Sequence, residues 1–346
     1  LLAGVGQTGT HGTGEETPIP VTGQGSIRLK ATVIKTLGPS HWEHSARAGK
    51  SITLRADQME LAGAPFSTPG TVVLHTPGDL DLGQETLQCT LQGTSWEIHA
   101  RNLSNRDNNL TVKGDLTAQL SGGFNNTGGT LAAGESLTIR SSALSSAIES
   151  APLLDNRHGQ IAAPRVVIKM PQVDNPGGQI LGDQVGIEAL RLTNRAGSPG
   201  GVIAARQALH LGVKELENGA HALLYSQGDL SLGGALDENA HAVNLADTVS
   251  NTGGVIDAQG HVVMQARTIS NREGATILAG HTVLWPTEAL DNDASSQVIT
   301  GDFLLETDRF TNRGRLEGRT IEMTVNHFDN VGKLVRAEER LALRGK

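Results

Sequence analysis

The chain has 346 residues, a formal charge of -8, a pI near 5.8, 43 glycines, one cysteine and only 3% aromatic residues. This excludes a basic nucleic-acid footprint, because the Lys and Arg residues are few and scattered. It also excludes an intrachain disulfide at Cys89, and it argues against an enzyme core built on large rings.

In chain order, residues 1–24 are rich in Gly, Thr and Pro and lack apolar alternation, so they read as a flexible or strap-like lead. No apolar run reaches membrane-spanning length, and the start shows no basic segment followed by an apolar one. The absence of an initial Met and the end in mid-pattern at Leu341-Ala342-Leu343 read as a piece of something longer. From Ser26-Ile27-Arg28-Leu29 onward, short segments alternate with period two and are bounded by Gly, Pro or Asp: Ser51-Ile52-Thr53-Leu54, Val72-Val73-Leu74 and Asp79-Leu80-Asp81-Leu82. These predict irregular solenoid coils over 25–104. The stretch from Leu37 to Arg47 interrupts them as an exposed loop would.

After residue 104 the pattern sharpens. An apolar-polar-Asn tripeptide recurs eleven times, ending at Asn105, Asn126, Asn156, Asn175, Asn194, Asn218, Asn251, Asn271, Asn292, Asn312 and Asn330. Seven of the ten intervals lie between 18 and 21 residues, too short for a helical-hairpin repeat and right for one β-solenoid coil. Nine of the eleven are followed by a Gly-containing turn, and the unit continues with an apolar strand such as Val202-Ile203-Ala204 and a Gly-led second strand such as Gly228-Asp229-Leu230-Ser231-Leu232. Asn and Gly both tolerate the left-handed backbone of a tight corner, and stacked asparagines form an amide ladder. At this period the chain provides about fifteen coils. The longer intervals of 30, 24 and 33 residues predict insertions near Ser141–Pro152, Arg195–Gly201 and Gly233–Asp247.

The tandem run of units such as Val249-Ser250-Asn251-Thr252-Gly253-Gly254 from Asn105 to the C-terminus resembles the filamentous haemagglutinin family. That family comprises large exoproteins exported by two-partner secretion, among them adhesins and contact-dependent growth-inhibition toxins. The resemblance implies an all-β, right-handed parallel β-helix. It also implies export through an outer-membrane partner to the bacterial surface, and a role in virulence or competition as an adhesive or presenting fibre. A receptor on a neighbouring bacterium or host cell is the implied further partner. Residues 1–104 depart from the repeat pattern, and no catalytic residue carries over.

Candidate sites are few. His221, His241, His261 and His281 lie twenty residues apart, but only His261 and His281 share the same offset from a repeat Asn, so at most two imidazoles stack. His41-Trp42-Glu43-His44 lacks helical metal-ligand spacing, and Trp42 is read either as packing against a coil or as a binding anchor on an exposed loop. Trp42 and Trp96 are the candidate partner contacts; no catalytic, cofactor or metal residue is assigned. Acids precede the repeat Asn at Asp155, Asp174, Glu217, Asp291 and Asp329, but Thr193, Ser250, Ser270 and Thr311 fill the same position, as a tolerant outward site would. Asn102, Asn109 and Asn125 open sequons of the weak N-x-S/T pattern. The leading alternatives are a receptor-binding segment, using Trp42, Trp96 or the Gly233–Asp247 insertion, and a β-helical polysaccharide-degrading enzyme.

Overall fold

The structure is a computed structural model that describes residues 22–23, 26–35, 46–60, 66–82, 93–142, 151–195, 199–331 and 334–345. Among these there is no helix; parallel strands stack as β-solenoid coils, about 13 in all. The chain divides into two compact units, Leu1–Pro164 and Arg165–Lys346.

In the first unit each coil turns through three strand faces, and residues one coil apart lie side by side. On one face Ile52 pairs in register with Val72, Val72 with Trp96, Trp96 with Leu116, and Leu116 with Leu137. All five are at most 2% exposed. A second face stacks Met59, Leu80, Leu103, Phe124 and Leu154, and a third stacks Leu110, Leu131 and Ile161. The period-two alternation of each strand sends these side chains into one narrow lumen and sends Ser95, Glu97 and His99 outward. The coils therefore begin well before Asn105. Ile27–Lys35 already pairs along its length with Ser51–Glu60. Arg47, placed by the sequence in a loop, lies in the strand Ala46–Ala48, which pairs with Thr22–Gly23 and Phe66–Ser67.

The second unit repeats the plan in coils formed by single bent strands of 16 to 18 residues, such as Gln179–Asn194 and Val255–Arg272. Its lumen columns include Ile180, Ile203, Leu224, Ile256, Ile277, Val298 and Leu316, all 2% exposed or less. One strand register shifts between Gly182 and Gln184, accommodating part of the long interval from Asn194 to Asn218. The longest interval is an extruded antiparallel hairpin, Ala235–Leu236 against Ala242–Val243. Residues 143–150 and 196–198, within the other two insertions, lie outside the described residues.

The repeat asparagines form the expected ladder. In the first unit Nδ2 of Asn105 donates to Oδ1 of Asn126, and Asn126 to Asn156. In the second the chain of amides runs from Asn175 through Asn194, Asn218, Asn251, Asn271, Asn292 and Asn312 to Asn330, every step between 2.8 and 2.9 Å. Many of the same amides also donate to a carbonyl of the neighbouring coil, as Asn251 does to Thr276 at 3.1 Å. Several close their own turn, as Asn126 does on Gly129.

One expectation is corrected here. The asparagines do not take the left-handed backbone. That conformation falls in the turn after them, at Asp107, Gly128, His158, Gly177, Gly253, Glu273 and Gly274. An inward side chain that bonds both its own turn and the next coil needs an ordinary backbone, so the reversal moves into the turn. Glycine three residues after the Asn serves close approach instead. A Cβ on Gly159 would sit 2.1 Å from the Asn126 carbonyl oxygen and 2.7 Å from Asn156 Oδ1. Gly159→Ala is therefore expected to cost about 3 kcal/mol by overpacking, measured by urea denaturation. A neutral result would show that adjacent coils are not held at this spacing.

Candidate contact surface

Trp42 and the whole of His41-Trp42-Glu43-His44 lie outside the described residues, as does Cys89. Trp96 is described, and it is buried, 2% exposed, in the lumen column between Val72 and Leu116. Its ring is out of reach of a partner in the folded coil, which corrects the surface role expected of it. The sequence held the signal: Trp96, Ile98 and Ala100 form the inward half of a period-two strand whose outward half is Ser95, Glu97 and His99.

The acidic positions form one outward column in register. In the second unit its order is Asp174, Thr193, Glu217, Ser250, Ser270, Asp291, Thr311 and Asp329. Each acid there is separated from the next by at least one coil with a hydroxyl residue. Asp291 lies between two guanidiniums, Arg272 at 2.7 Å and Arg313 at 3.4 Å. Asp155 is paired with Arg157 at 3.6 Å. The chemistry of the column is ion pairing along the stack, which is weak per pair at an exposed surface.

Other polar groups also lace adjacent coils. Asn102 accepts from the Gly123 amide at 2.7 Å and donates to Asp79 at 2.8 Å. Asp79 lies below the usual carboxylate range, chiefly through its bond from Arg101. Asp302 is held down to about 2 by bonds from Arg319 and Thr320, outweighing its slight desolvation. Burial would raise Asp293, but bonds from Glu273, Ser296 and Ser295 together bring it to about 2 and pin the turn after Asn292.

The histidines fall as the register expected and in one way that it did not. His261 and His281 are register neighbours whose rings meet edge-on with centres 5.2 Å apart, and His281 approaches Asp302 at 3.6 Å. His221 is a left-handed turn residue. His241, in the extruded hairpin, meets His210 edge-on at 5.3 Å. No spacing in the sequence joins those two, because the hairpin folds back over strands that precede it. Among the described residues, no group of three or more His, Cys, Asp or Glu side chains is arranged to hold a metal ion.

The hairpin is the largest departure from the regular outward surface. Gly233 and Gly234 lead into it, Leu236 turns inward at 7% exposure, and Glu238, Asn239 and His241 are exposed around its turn. A surface of interchangeable polar side chains on a stacked aliphatic lumen defines a structural β-solenoid repeat protein.

The haemagglutinin repeat model matches residues 94–164, 184–253 and 232–334, together more than half of the chain. The chain belongs to the filamentous haemagglutinin repeat family. These are structural, adhesin-type repeats of secreted, surface-associated exoproteins, and the family is not a known enzyme family. No curated protein and no solved structure matches the chain. No helix among the described residues is long and apolar enough to cross a membrane.

Proposed function

We propose that this chain is a fibre segment of a secreted bacterial surface exoprotein, presenting an adhesive or toxin domain away from the cell. It reaches the surface through an outer-membrane two-partner secretion partner. The observation that supports this reading most is the amide ladder, a buried, sequence-fixed device that ties coil to coil while leaving outward positions free to vary. Three stretches divide the labour: the lead 1–24, the coils 25–104 that lack the repeat Asn, and the Asn-bearing coils 105–346. The chain acts mechanically and carries no catalysis.

A second reading is receptor binding by this segment itself, as in a contact-dependent growth-inhibition protein. It rests on Trp42 and on the exposed turn of the hairpin at Glu238, Asn239 and His241. The test is saturable binding of the purified, labelled chain to neighbouring bacteria and to host epithelial cells, with Trp42→Ala and a hairpin-deleted variant alongside. The fibre reading expects no saturable binding to either. Saturable binding lost in one of the variants would replace it with receptor recognition and locate the contact. Polysaccharide cleavage by the purified chain, abolished by Asp291→Asn, would overturn both.

A further inference from the structure

The hairpin that interrupts the second unit does not project freely. It lies back on the outward face of the sheet, over a platform made by two glycines. A Cβ on Gly212 would stand 2.3 Å from the Ala235 carbonyl carbon and 2.5 Å from the Leu236 amide nitrogen, so the hairpin backbone rests on Gly212 itself. A Cβ on Gly186 would stand 3.5 Å from both the Ala240 Cβ and Leu236 Cδ1. Between these glycines, in the same outward register, His210 reaches the hairpin edge-on at His241 and bonds Ser231 Oγ at 2.6 Å through Nδ1. Asp237 accepts the amides of His241 and Asn239 and approaches the His241 ring at 3.5 Å, so the turn itself fixes the second imidazole.

We propose that the hairpin Ala235–Val243 is an acid-released cover, held on the sheet by the His210–His241 contact at neutral pH and lifted from Gly186 and Gly212 when the two imidazoles become charged. Protonating both places two positive charges 5.3 Å apart, one of them half-buried. The facing groups are Asp237 and the exposed Glu238 from the hairpin, Asp229 from the strand Asp229–Gly233, and Glu188 from the strand Gln179–Asn194. Asp229 and Asp237 favour the charged form of His210, but burial first and His241 second outweigh them, and the His210 imidazole lies below its ordinary 6.5. Glu188 is already matched by Lys169 at 2.6 Å. The docked state therefore binds fewer protons than the released one. Docking is fully stable above the ordinary imidazole range and weakens as pH falls below it. Once off the sheet, a hairpin with two-residue strands has nothing to keep it folded, so release and melting coincide.

The test is amide exchange of residues 234–244 in the intact chain, expressed as protection relative to the free 233–247 peptide at the same pH. Between about pH 7.5 and about pH 5, protection is expected to fall about tenfold, with strands elsewhere in the unit unchanged. His241→Gln, which removes both the ring contact and the second charge, is expected to lower protection at pH 7.5 and to leave a smaller fall, that of the half-buried His210 alone. A Gly186→Cys/Ala240→Cys pair in a Cys89→Ser background suits a disulfide at the 3.5 Å Cβ separation, and is expected to show no fall when oxidised and the full fall when reduced. Protection that does not change with pH in the unaltered chain, or a fall of undiminished size in His241→Gln, overturns the proposal.

Discussion

Asn251→Asp is expected to lower the stability of the second unit by about 5 kcal/mol at neutral pH, although it exchanges one nitrogen for one oxygen. Asn251 is 1% exposed. Its Nδ2 donates to Asn271 Oδ1 at 2.8 Å and to the Thr276 carbonyl at 3.1 Å, while its Oδ1 accepts from Asn218 at 2.8 Å. In the aspartate, the side facing Asn271 and Thr276 presents an acceptor to two acceptors, and the charge has no cation beside it. Protonation restores a donor, so the folded-state pKa of the new carboxyl is raised above the ordinary value of about 3.9. A group raised in this way regains stability as pH falls through its folded value, so the deficit is largest at pH 7 and shrinks towards acid. Asn251→Ala, which orphans the neighbours without adding charge, is expected to cost about 3 kcal/mol with no such pH dependence. Urea denaturation of the three proteins at neutral and mildly acid pH separates them. Equal losses for Ala and Asp at both pH values would mean that the amide contributes by filling space and not by linking coils.

That experiment tests the feature the sequence displayed most openly. A β-solenoid turns periodicity into contact directly: residues about twenty apart in sequence become register partners, so the asparagine spacing and the aliphatic columns are one observation made twice. Where the period lacked its marker, the fold was harder to read. Ile52, Val72 and Trp96 stack as faithfully as their later counterparts, but the ladder position in the coil before Asn105 is Leu82, whose amide donates to the Ser104 carbonyl as that of Asn105 does to Asn125. A leucine among many leucines marks nothing. The ladder's first acceptor is closed locally, by Asn108 Nδ2 on Asn105 Oδ1 at 2.8 Å, so the amide column starts without a partner from the coil before. The contact of His210 with His241 was illegible for a different reason, since it depends on where an insertion folds back and no repeat encodes that.

Trp96→Ala is expected to destabilise the first unit by about 4 kcal/mol, the usual scale for removing a buried large ring from a core that cannot collapse around the void. The lumen there is fixed by parallel strands on both sides, Thr71–His75 and Leu116–Leu120, whose backbone bonds hold the coil spacing whatever the side chain. Because each coil rests only on its neighbours, the loss should be local: amide protection falls in those two strands first, while Asn109–Val112 and Thr130–Ala133 retain theirs longer. The indole Nε1 has no hydrogen-bond partner among the described residues. Trp96→Phe therefore gives up ring volume but no bond, and is expected to cost only about 1 kcal/mol. Cell binding, if any is found for the chain, should be the same for Trp96→Phe as for the unaltered protein. Unchanged protection in Trp96→Ala would show that the ring is not a lumen residue, and it would return Trp96 to the outer surface as a contact for a partner.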